Sequence, residues 1–411
     1  MKKYLKLILC LLVVFTLTGC ELTLFSSTNG KTIDINYEGG IAKVENNFYY
    51  TELSTDFEYN LTDYESYFTE NYVNSAVVDY IKKSQSSYTG LCSGARSGNY
   101  VGRTYDWYYQ DAPLLMVKTE GNDSRLASYG VTQGFIDKAS IESGEVDDKR
   151  KLVVVDGLNE AGVSIQINVL PIGYEINDGT KGTGSKVLNS LLVCRFVLDN
   201  AHSVDEAIEM LKDYRIEGTY NKDMIEEYHW FLSDSTKSVV LEVVDGNMVV
   251  VEDNVMTNFY LNSKYFDNTS TKEVGVESLK KLQPMAMGWR RYYILKDEIK
   301  TEASSVKSMF NKMTKVYYSQ YTDSTKEDPW YDEYYGTYEK YGIYDYNLNK
   351  ENEENNAKIR EIMKTITPKT TYNDGTWYTG HLTVFDFKNK TMTVAVDEQD
   401  FSHAYTVKFE K

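Results

Sequence analysis

A thiol, a guanidinium and a carboxylate lie within fifteen residues of one another, at Cys92, Arg103 and Asp106. They occur in two apolar-aromatic stretches separated by Ser97–Asn99, a sequence typical of a tight turn. A strand-turn-strand hairpin of this kind would fold Arg103 and Asp106 back beside Cys92. The pattern predicts a nucleophilic thiolate, with a cation that favours its charge and an anion that orients its proton acceptor.

This segment resembles the start of the mature chain in choloylglycine hydrolases, penicillin V acylases and acid amidases, which are N-terminal-nucleophile hydrolases. Their motif is Cys followed by Ser or Thr and, further along, Gly-Arg-Asn-x-Asp. Gly102–Asp106 departs from it at Thr104, which replaces Asn and so changes one hydrogen-bonding partner, but not the nucleophile or its two charged neighbours. The resemblance implies the α+β class, with a four-layer αββα sandwich, and hydrolysis of linear, non-peptide amide bonds in small N-acyl amides.

The same resemblance extends to later residues. Val255–Asn258 is similar to the family's hydrophobic-hydrophobic-Thr-Asn, which implies that the Asn258 amide donates to the oxyanion. Asn168, near the end of a predicted strand, is implied as a main-chain donor to the same oxygen. Arg291 holds the position of a family arginine that precedes an aromatic residue, with Arg290 as the alternative.

A hydrolase without a catalytic histidine needs another base that titrates near neutral pH. The resemblance implies that a cut between Leu91 and Cys92 frees the α-amine of Cys92, and such amines titrate at about 7.7–8. Asp106 would orient this amine, and Arg103 would favour the thiolate. Removal of a signal peptide would not reach Cys92, so a second, internal cut is required, and we expect it to be autocatalytic.

Residues 1–19 have the pattern of a lipoprotein signal peptide: three lysines, a short apolar run and Leu17–Cys20. These last four residues are similar to a bacterial lipobox, which implies cleavage before Cys20 and lipidation of its sulfur. We therefore expect an extracytoplasmic protein that its lipid anchors to the bacterial cell membrane. The alternative is an ordinary secretory signal that happens to contain a cysteine.

Composition excludes some functions. The formal net charge is −17, and removal of the three signal lysines lowers it to −20, so binding of nucleic acid is not expected. Four histidines and two cysteines beyond Cys20 show no metal-ligand spacing, so we expect neither metal nor cofactor.

Cys194 lies in an apolar helical stretch and is interpreted as a core thiol, with a disulfide to Cys92 as the alternative.

The chain divides into the signal peptide, a polar tether over 20–40, a pre-region over 41–91, and the hydrolase domain over 92–411. Whether the pre-region stays bound as a small subunit after the cut remains open. A tyrosine-rich acidic insertion near 317–356 is either a flap over the substrate or a surface excursion.

Apolar patterning predicts these elements: strands over Ile41–Tyr50, Lys151–Val155, Val163–Leu170, Ser238–Val244 and Met248–Val251, and helices over Tyr64–Lys83, Val187–Asn200 and Val204–Asp213.

Two other classes of function remain. A papain-like protease would pair Cys92 with His229 or His381, but it needs a cysteine on a helix, whereas Cys92 has a strand-like context. We interpret both histidines as structural. The second alternative is a surface lipoprotein of the same fold that is inactive or only binds a ligand. The choice of amide substrate and the oligomeric state are left open by the sequence.

Overall fold

The computed structural model describes residues 31–32, 39–53, 92–107, 112–170, 183–217, 228–244, 247–259, 261, 288, 290–321 and 378–409. The predicted signal peptide with Cys20, most of the tether, the predicted helix Tyr64–Lys83, Leu91 and most of the tyrosine-rich insertion lie outside the described residues.

Sheet I carries the segment that follows Cys92. Within the described chain it has seven strands, which in spatial order are β1 (Lys31–Thr32), β18 (Tyr405–Lys408), β17 (Thr391–Val396), β16 (Tyr378–Asp386), β5 (Tyr100–Trp107), β4 (Ser93–Ser97) and β15 (Val255–Met256). Neighbouring strands are antiparallel, apart from the parallel pair β1 and β18.

Sheet II has nine strands in the same described part of the chain. In spatial order they are β14 (Asn247–Val251), β13 (Ser238–Val244), β12 (Tyr228–Ser233), β9 (Ser164–Val169), β8 (Asp156–Asn159), β7 (Ser128–Gln133), β6 (Leu114–Thr119), β3 (Phe48–Leu53) and β2 (Ile41–Glu45). Strands β3 and β6 are parallel, so the pre-region supplies an edge hairpin to this sheet. A separate parallel pair joins β10 (Lys186–Asn189) to β11 (Tyr214–Glu217).

The helices are short. They are α1 (Lys138–Ser143), α2 (Asp148–Lys151), α3 (Val193–Asn200), α4 (Val204–Leu211), α5 (290–298), α6 (Val306–Met313) and α7 (Tyr318–Tyr321). Helix α3 packs on β7, β8 and β9, and helix α6 packs on β5 and β16. Among these helices, α3 therefore covers sheet II and α6 covers sheet I.

The two sheets pack face to face through their other surfaces. A Cβ at Gly94 of β4 would collide with Gln166 of β9 and lie 3.2 Å from Phe231 of β12. On the opposite face of sheet I, a Cβ at Gly102 would lie 3.0 Å from Met309 of α6. The order of layers is thus α6, sheet I, sheet II, α3, and the predicted αββα sandwich of the α+β class is confirmed.

Three predicted elements differ from the structure. The strand predicted over Ile41–Tyr50 is instead a hairpin, β2 and β3, turned at Asn47 with a φ of 56°. Val153–Val155 is apolar because it is buried, not because it is a strand, and the chain up to Lys151 is helix α2. The helix predicted from Val187 begins only at Val193, after strand β10 and a turn of 3₁₀ helix over Ser190–Leu192.

Capping explains where the two central helices begin. The Asn189 side chain accepts a hydrogen bond from the Leu191 amide, which ends β10 and starts the helical turn before α3. Ser203 caps α4, since its hydroxyl accepts from the Glu206 amide at 3.1 Å. The Glu206 carboxylate accepts from the His202 amide at 2.7 Å, one residue earlier than the usual capping box. Helix α4 ends at Leu211, two residues before the predicted end.

The strands predicted over Val163–Leu170, Ser238–Val244 and Met248–Val251 are confirmed as β9, β13 and β14. Within the described segments, no helix combines the length and the apolar character needed to cross a bilayer.

Candidate active site

The hairpin of β4 and β5 sets the position of Cys92. Cys92 directly precedes β4, and the chain turns at Gly98, whose φ of 61° favours glycine. The antiparallel register pairs Gly94 with Arg103, which brings the end of β5 back to the start of β4. The Cys92 thiol donates to the main-chain oxygen of Asp106 at 3.9 Å. The predicted strand-turn-strand arrangement is therefore confirmed, with Asp106 beside Cys92.

Cys92 is buried, and this burial controls its protonation. Burial raises the pKa of the Cys92 thiol because a thiolate there loses its hydration. Arg103 and Arg291 lower the pKa through their positive charges without cancelling the effect of burial, and Asp106 raises it further. In this single chain Cys92 is consequently a neutral thiol, and a base must take its proton before it can attack a carbonyl.

Arg103 has a buried anionic partner that the sequence analysis missed. Its Nη1 lies 2.7 Å from Asp156 Oδ2 across the interface between the sheets, and its Nη2 donates to the main-chain oxygen of Ile167 at 2.7 Å. Burial alone would raise the pKa of Asp156, but Arg103 and His381 hold it below its usual range. Asp156 is not among the site residues predicted from the sequence. No local sequence pattern could have assigned it, because the carboxylate and the guanidinium face each other only once the two sheets pack together.

The carboxylate of Asp106 is fixed by Thr379 of β16. Thr379 Oγ1 donates to Asp106 Oδ1 at 2.7 Å and accepts from the Tyr318 amide at 2.8 Å. Because the Thr379 oxygen accepts a hydrogen bond from the Tyr318 amide, the proton of its hydroxyl is free to point at Asp106. Thr379 is not among the site residues predicted from the sequence, because its contact with Asp106 depends on the pairing of β16 with β5.

Arg291, on α5, links the start of β4 to the chain after β15. Its Nη1 donates to the main-chain oxygen of Cys92 at 2.5 Å and to Ser93 Oγ at 2.9 Å, and its Nη2 donates to Asn258 Oδ1 at 2.9 Å. The guanidinium of Arg291, the first of the two arginines considered for this position, therefore reaches both Cys92 and Asn258.

Asn258 comes to Cys92 through the pairing of β15 with β4, in which Val255 lies opposite Ala95. It is fully buried. Its Oδ1 accepts from Arg291, and this contact fixes which end of the amide carries the protons. Its Nδ2 donates to the main-chain oxygen of Val169 at 2.5 Å. One proton of Nδ2 is therefore committed to Val169, and the second can be donated to a substrate oxygen.

Asn168 and His229 lie opposite each other on β9 and β12. Both side chains donate to the main-chain oxygen of Thr257, from Asn168 Nδ2 at 3.2 Å and from His229 Nε2 at 2.6 Å. Both residues thus hold the peptide that precedes Asn258. The structural role predicted for His229 is consistent with this contact. The predicted main-chain role of Asn168 stays a prediction.

The arrangement contains the parts of an acyl-transfer site. Cys92 can form a bond to a carbonyl carbon, Asn258 can stabilise the resulting oxyanion, and Arg103, Asp106 and Arg291 set the local charge. In the described portion of the chain, no group of three or more His, Cys, Asp and Glu side chains is placed to bind a metal ion.

The papain-like alternative does not fit the geometry, because Cys92 precedes a strand and the two histidines contact other groups. Cys194 is a free, fully buried thiol on α3, as predicted for a core residue, and burial raises its pKa. Cys92 is also free, so the alternative of a disulfide between them is not realised.

Comparison with known proteins gives one family. Residues 89–271 match the model of the linear amide C–N hydrolases, choloylglycine hydrolase family. No curated protein sequence matches the chain. Among solved structures the chain is similar to penicillin V acylase from Agrobacterium tumefaciens, with 16% identity, coverage of 77% of this chain and 86% of that chain, and a TM-score of 0.38.

It is also similar to a variant of conjugated bile acid hydrolase from Clostridium perfringens, with 14% identity, coverage of 78% of this chain and 97% of that chain, and a TM-score of 0.38. The family match contains Cys92, Arg103, Asp106 and Asn258, whereas Arg291 lies beyond it. The resemblance to the linear amide C–N hydrolases of the choloylglycine hydrolase family, predicted from the sequence, is thereby confirmed, and residues 89–271 carry it.

Proposed function

We propose that this protein hydrolyses a linear, non-peptide amide bond of a small N-acyl amide, with Cys92 as the nucleophile after an internal cut. The observation that carries the proposal is the pair of contacts made by Arg291, whose guanidinium joins the main chain of Cys92 to the side-chain amide of Asn258. A nucleophile and an oxyanion donor held by one rigid group are what acyl transfer requires.

The base is the α-amine of Cys92, released by cleavage after Leu91. Two features support it: burial raises the pKa of the thiol, and the buried imidazoles of His229 and His381 are hydrogen-bonded to other groups. An α-amine titrates at about 7.7–8, close enough to neutral pH to exchange protons with a thiol on the same residue. The Asp106 carboxylate, held by Thr379, orients this amine.

The reaction then proceeds in two halves. The amine takes the thiol proton, Sγ bonds to the amide carbon, and the carbonyl oxygen becomes an oxyanion held by Asn258 Nδ2–H and a main-chain N–H near Asn168. When the C–N bond breaks, the ammonium returns a proton to the leaving nitrogen, which departs as an amine. Water, deprotonated by the same amine, attacks the thioester and releases a carboxylic acid with the thiol restored.

Cleavage before Cys92 is the first test. We expect active protein to contain a fragment that ends at Leu91 and one that begins at Cys92, because the uncut chain has no α-amine at this residue. Intact-mass measurement and N-terminal sequencing of protein with confirmed amidase activity would detect both. Full activity in a single uncut chain would contradict the mechanism. An uncut chain without activity would favour the inactive ligand-binding alternative.

We also propose that lipidation of Cys20 anchors the protein to the outer face of the bacterial cell membrane. The proposal is supported by the sequence around Leu17–Cys20 alone. We expect Cys20→Ala to move the protein from the membrane fraction to the soluble fraction, because one residue that carries several acyl chains provides the anchor. Equal membrane retention of Cys20→Ala and the wild type would contradict it.

A further inference from the structure

Three buried polar side chains form a row across sheet II, here called the polar row: Asn168, His229 and Glu242. Asn168 of β9 and His229 of β12 are paired in register, and Glu242 lies on β13, the next strand. His229 Nδ1 is 3.8 Å from Glu242 Oε1. Because buried polar groups cost free energy unless they are hydrogen-bonded, the partners of the polar row indicate its role.

Two members of the polar row bind the main chain just before Asn258. The side chains of Asn168 and His229 both donate to the main-chain oxygen of Thr257, at 3.2 Å and 2.6 Å. A carbonyl oxygen only accepts, so His229 Nε2 carries a proton whatever the charge of the ring. Strand β15 ends at Met256, and side chains of sheet II therefore hold the Thr257 carbonyl where a strand would be held by its neighbour.

The third member binds the chain just after Asn258. Glu242 Oε1 accepts a hydrogen bond from the Leu261 amide at 2.5 Å. Strand β9 adds a main-chain contact, because the Val169 oxygen accepts from Asn258 Nδ2 at 2.5 Å. The chain is thus fixed to sheet II on both sides of Asn258 and at its side chain.

We propose that His229 is a positioning residue of the hydrolysis, which acts with Asn168 and Glu242 to hold the Asn258 amide where the oxyanion forms. The inference rests on the proposed hydrolysis at Cys92, and it gives the polar row a role in the reaction rate besides its role in folding. An oxyanion donor must be in place before the reaction, and a displacement of about 1 Å can cost about 10²-fold in rate. His229 is expected to matter more than Asn168, since its hydrogen bond is the shorter of the two.

Kinetics of His229→Leu test this role. Leucine fills part of the space of the ring but cannot donate, so kcat of fully cut protein should fall about 10- to 100-fold with little change in KM. The loss should not exceed the roughly 10²–10³-fold loss expected for the donor itself, because His229 acts through Asn258. His229→Gln keeps an N–H that can reach Thr257 and should recover most of the lost kcat.

The decisive comparison repeats His229→Leu in the Asn258→Ala background. Once the oxyanion donor is absent, its position no longer affects the rate, so the second substitution should change kcat by less than about 2-fold. An effect of His229 on another group would give the same factor in both backgrounds. Ser233→Ala is the matched control: Ser233 is fully buried on the same strand and its hydroxyl pairs with that of Ser238 at 2.6 Å, so its loss should lower stability without changing kcat.

The side-chain amide resonance of Asn258 gives a second measurement, which needs neither a substrate nor the internal cut. In protein with labelled asparagine, it is the resonance that Asn258→Asp removes. We expect His229→Leu to shift this resonance and to speed the exchange of its protons with solvent, whereas Ser233→Ala should leave it unchanged. Should His229→Leu not fold, Asn168→Ala replaces it in both measurements, because it removes the other hydrogen bond to Thr257.

If no variant hydrolyses any amide, the proposed function fails, while the resonance still decides whether the polar row holds Asn258. An Asn258 resonance that is identical in the wild type and His229→Leu would overturn the inference. So would a kcat that His229→Leu leaves unchanged, or lowers by the same factor with and without the Asn258 amide.

Discussion

Replacement of Cys92 by alanine is expected to abolish amide hydrolysis. The nucleophile is the one group that forms a bond to the substrate carbon, and its removal in hydrolases typically costs about 10⁴-fold or more in kcat. The same substitution should leave the chain uncut if the cleavage is autocatalytic. Turnover of a panel of N-acyl amides, measured together with intact mass, would record both effects.

Cys194→Ala is the matched control, because Cys194 is also a free, buried thiol but lies on α3 and not in the site. It should retain most of the activity of the wild type. An alkylating reagent that inactivates the enzyme should label the peptide that begins with Cys92. Loss of activity in Cys194→Ala with correct folding, or inactivation by a label on Cys194, would contradict the assignment of the nucleophile.

Removal of the Asn258 amide should lower the rate of the chemical step. Loss of one oxyanion donor typically costs about 10²–10³ in kcat, so Asn258→Ala should show a decrease of that size with little change in KM. The donor acts on the charge that develops in the transition state and not on the neutral substrate. Single-turnover kinetics on fully cut protein would separate this effect from slower cleavage before Cys92.

Folding needs its own control, because Asn258 has buried partners. Asn258→Ala leaves the Val169 carbonyl and one arm of the Arg291 guanidinium without their contacts, so the variant should also be less stable. Asn258→Asp keeps an oxygen for Arg291 but lacks the N–H donor, and it should lose at least as much kcat as Asn258→Ala. Asn159→Ala breaks buried hydrogen bonds to Leu198 and Ala201 on the α3 side of sheet II and should lower stability without a comparable loss of kcat. Unaltered kcat in both Asn258 variants would remove this residue from the oxyanion site.

The sequence determined the parts of this site that depend on short-range pattern. The hairpin around Cys92 follows from two apolar stretches and a turn whose glycine has a positive φ, and this local signal alone folds Asp106 back to the thiol. The position of Asn258 and the choice of Arg291 over Arg290 came from the family resemblance, whereas the contacts of the Arg291 guanidinium with Cys92 and Asn258 are seen only in the structure.

Local pattern was less reliable where burial and helix periodicity look alike. Val187–Leu192 is as apolar as the helix that follows it, and only the Asn189 cap and the pairing of β10 with β11 separate strand from helix. Val153–Val155 is apolar because it is buried and not because it forms a strand. In both places the apolar residues indicate that the segment is buried, but a buried segment can be a strand, a helix or an irregular stretch.

The tertiary structure alone decided which groups face each other between the sheets. Asp156 and His381 are far from Arg103 along the chain, and no local pattern relates them, yet stacking the sheets places both against its guanidinium. It likewise decided the state of Cys92: the sequence predicted a thiolate favoured by Arg103, but the pKa of the thiol is raised. The reason is that desolvation depends on everything packed around an atom, whereas the sequence shows only its neighbours along the chain.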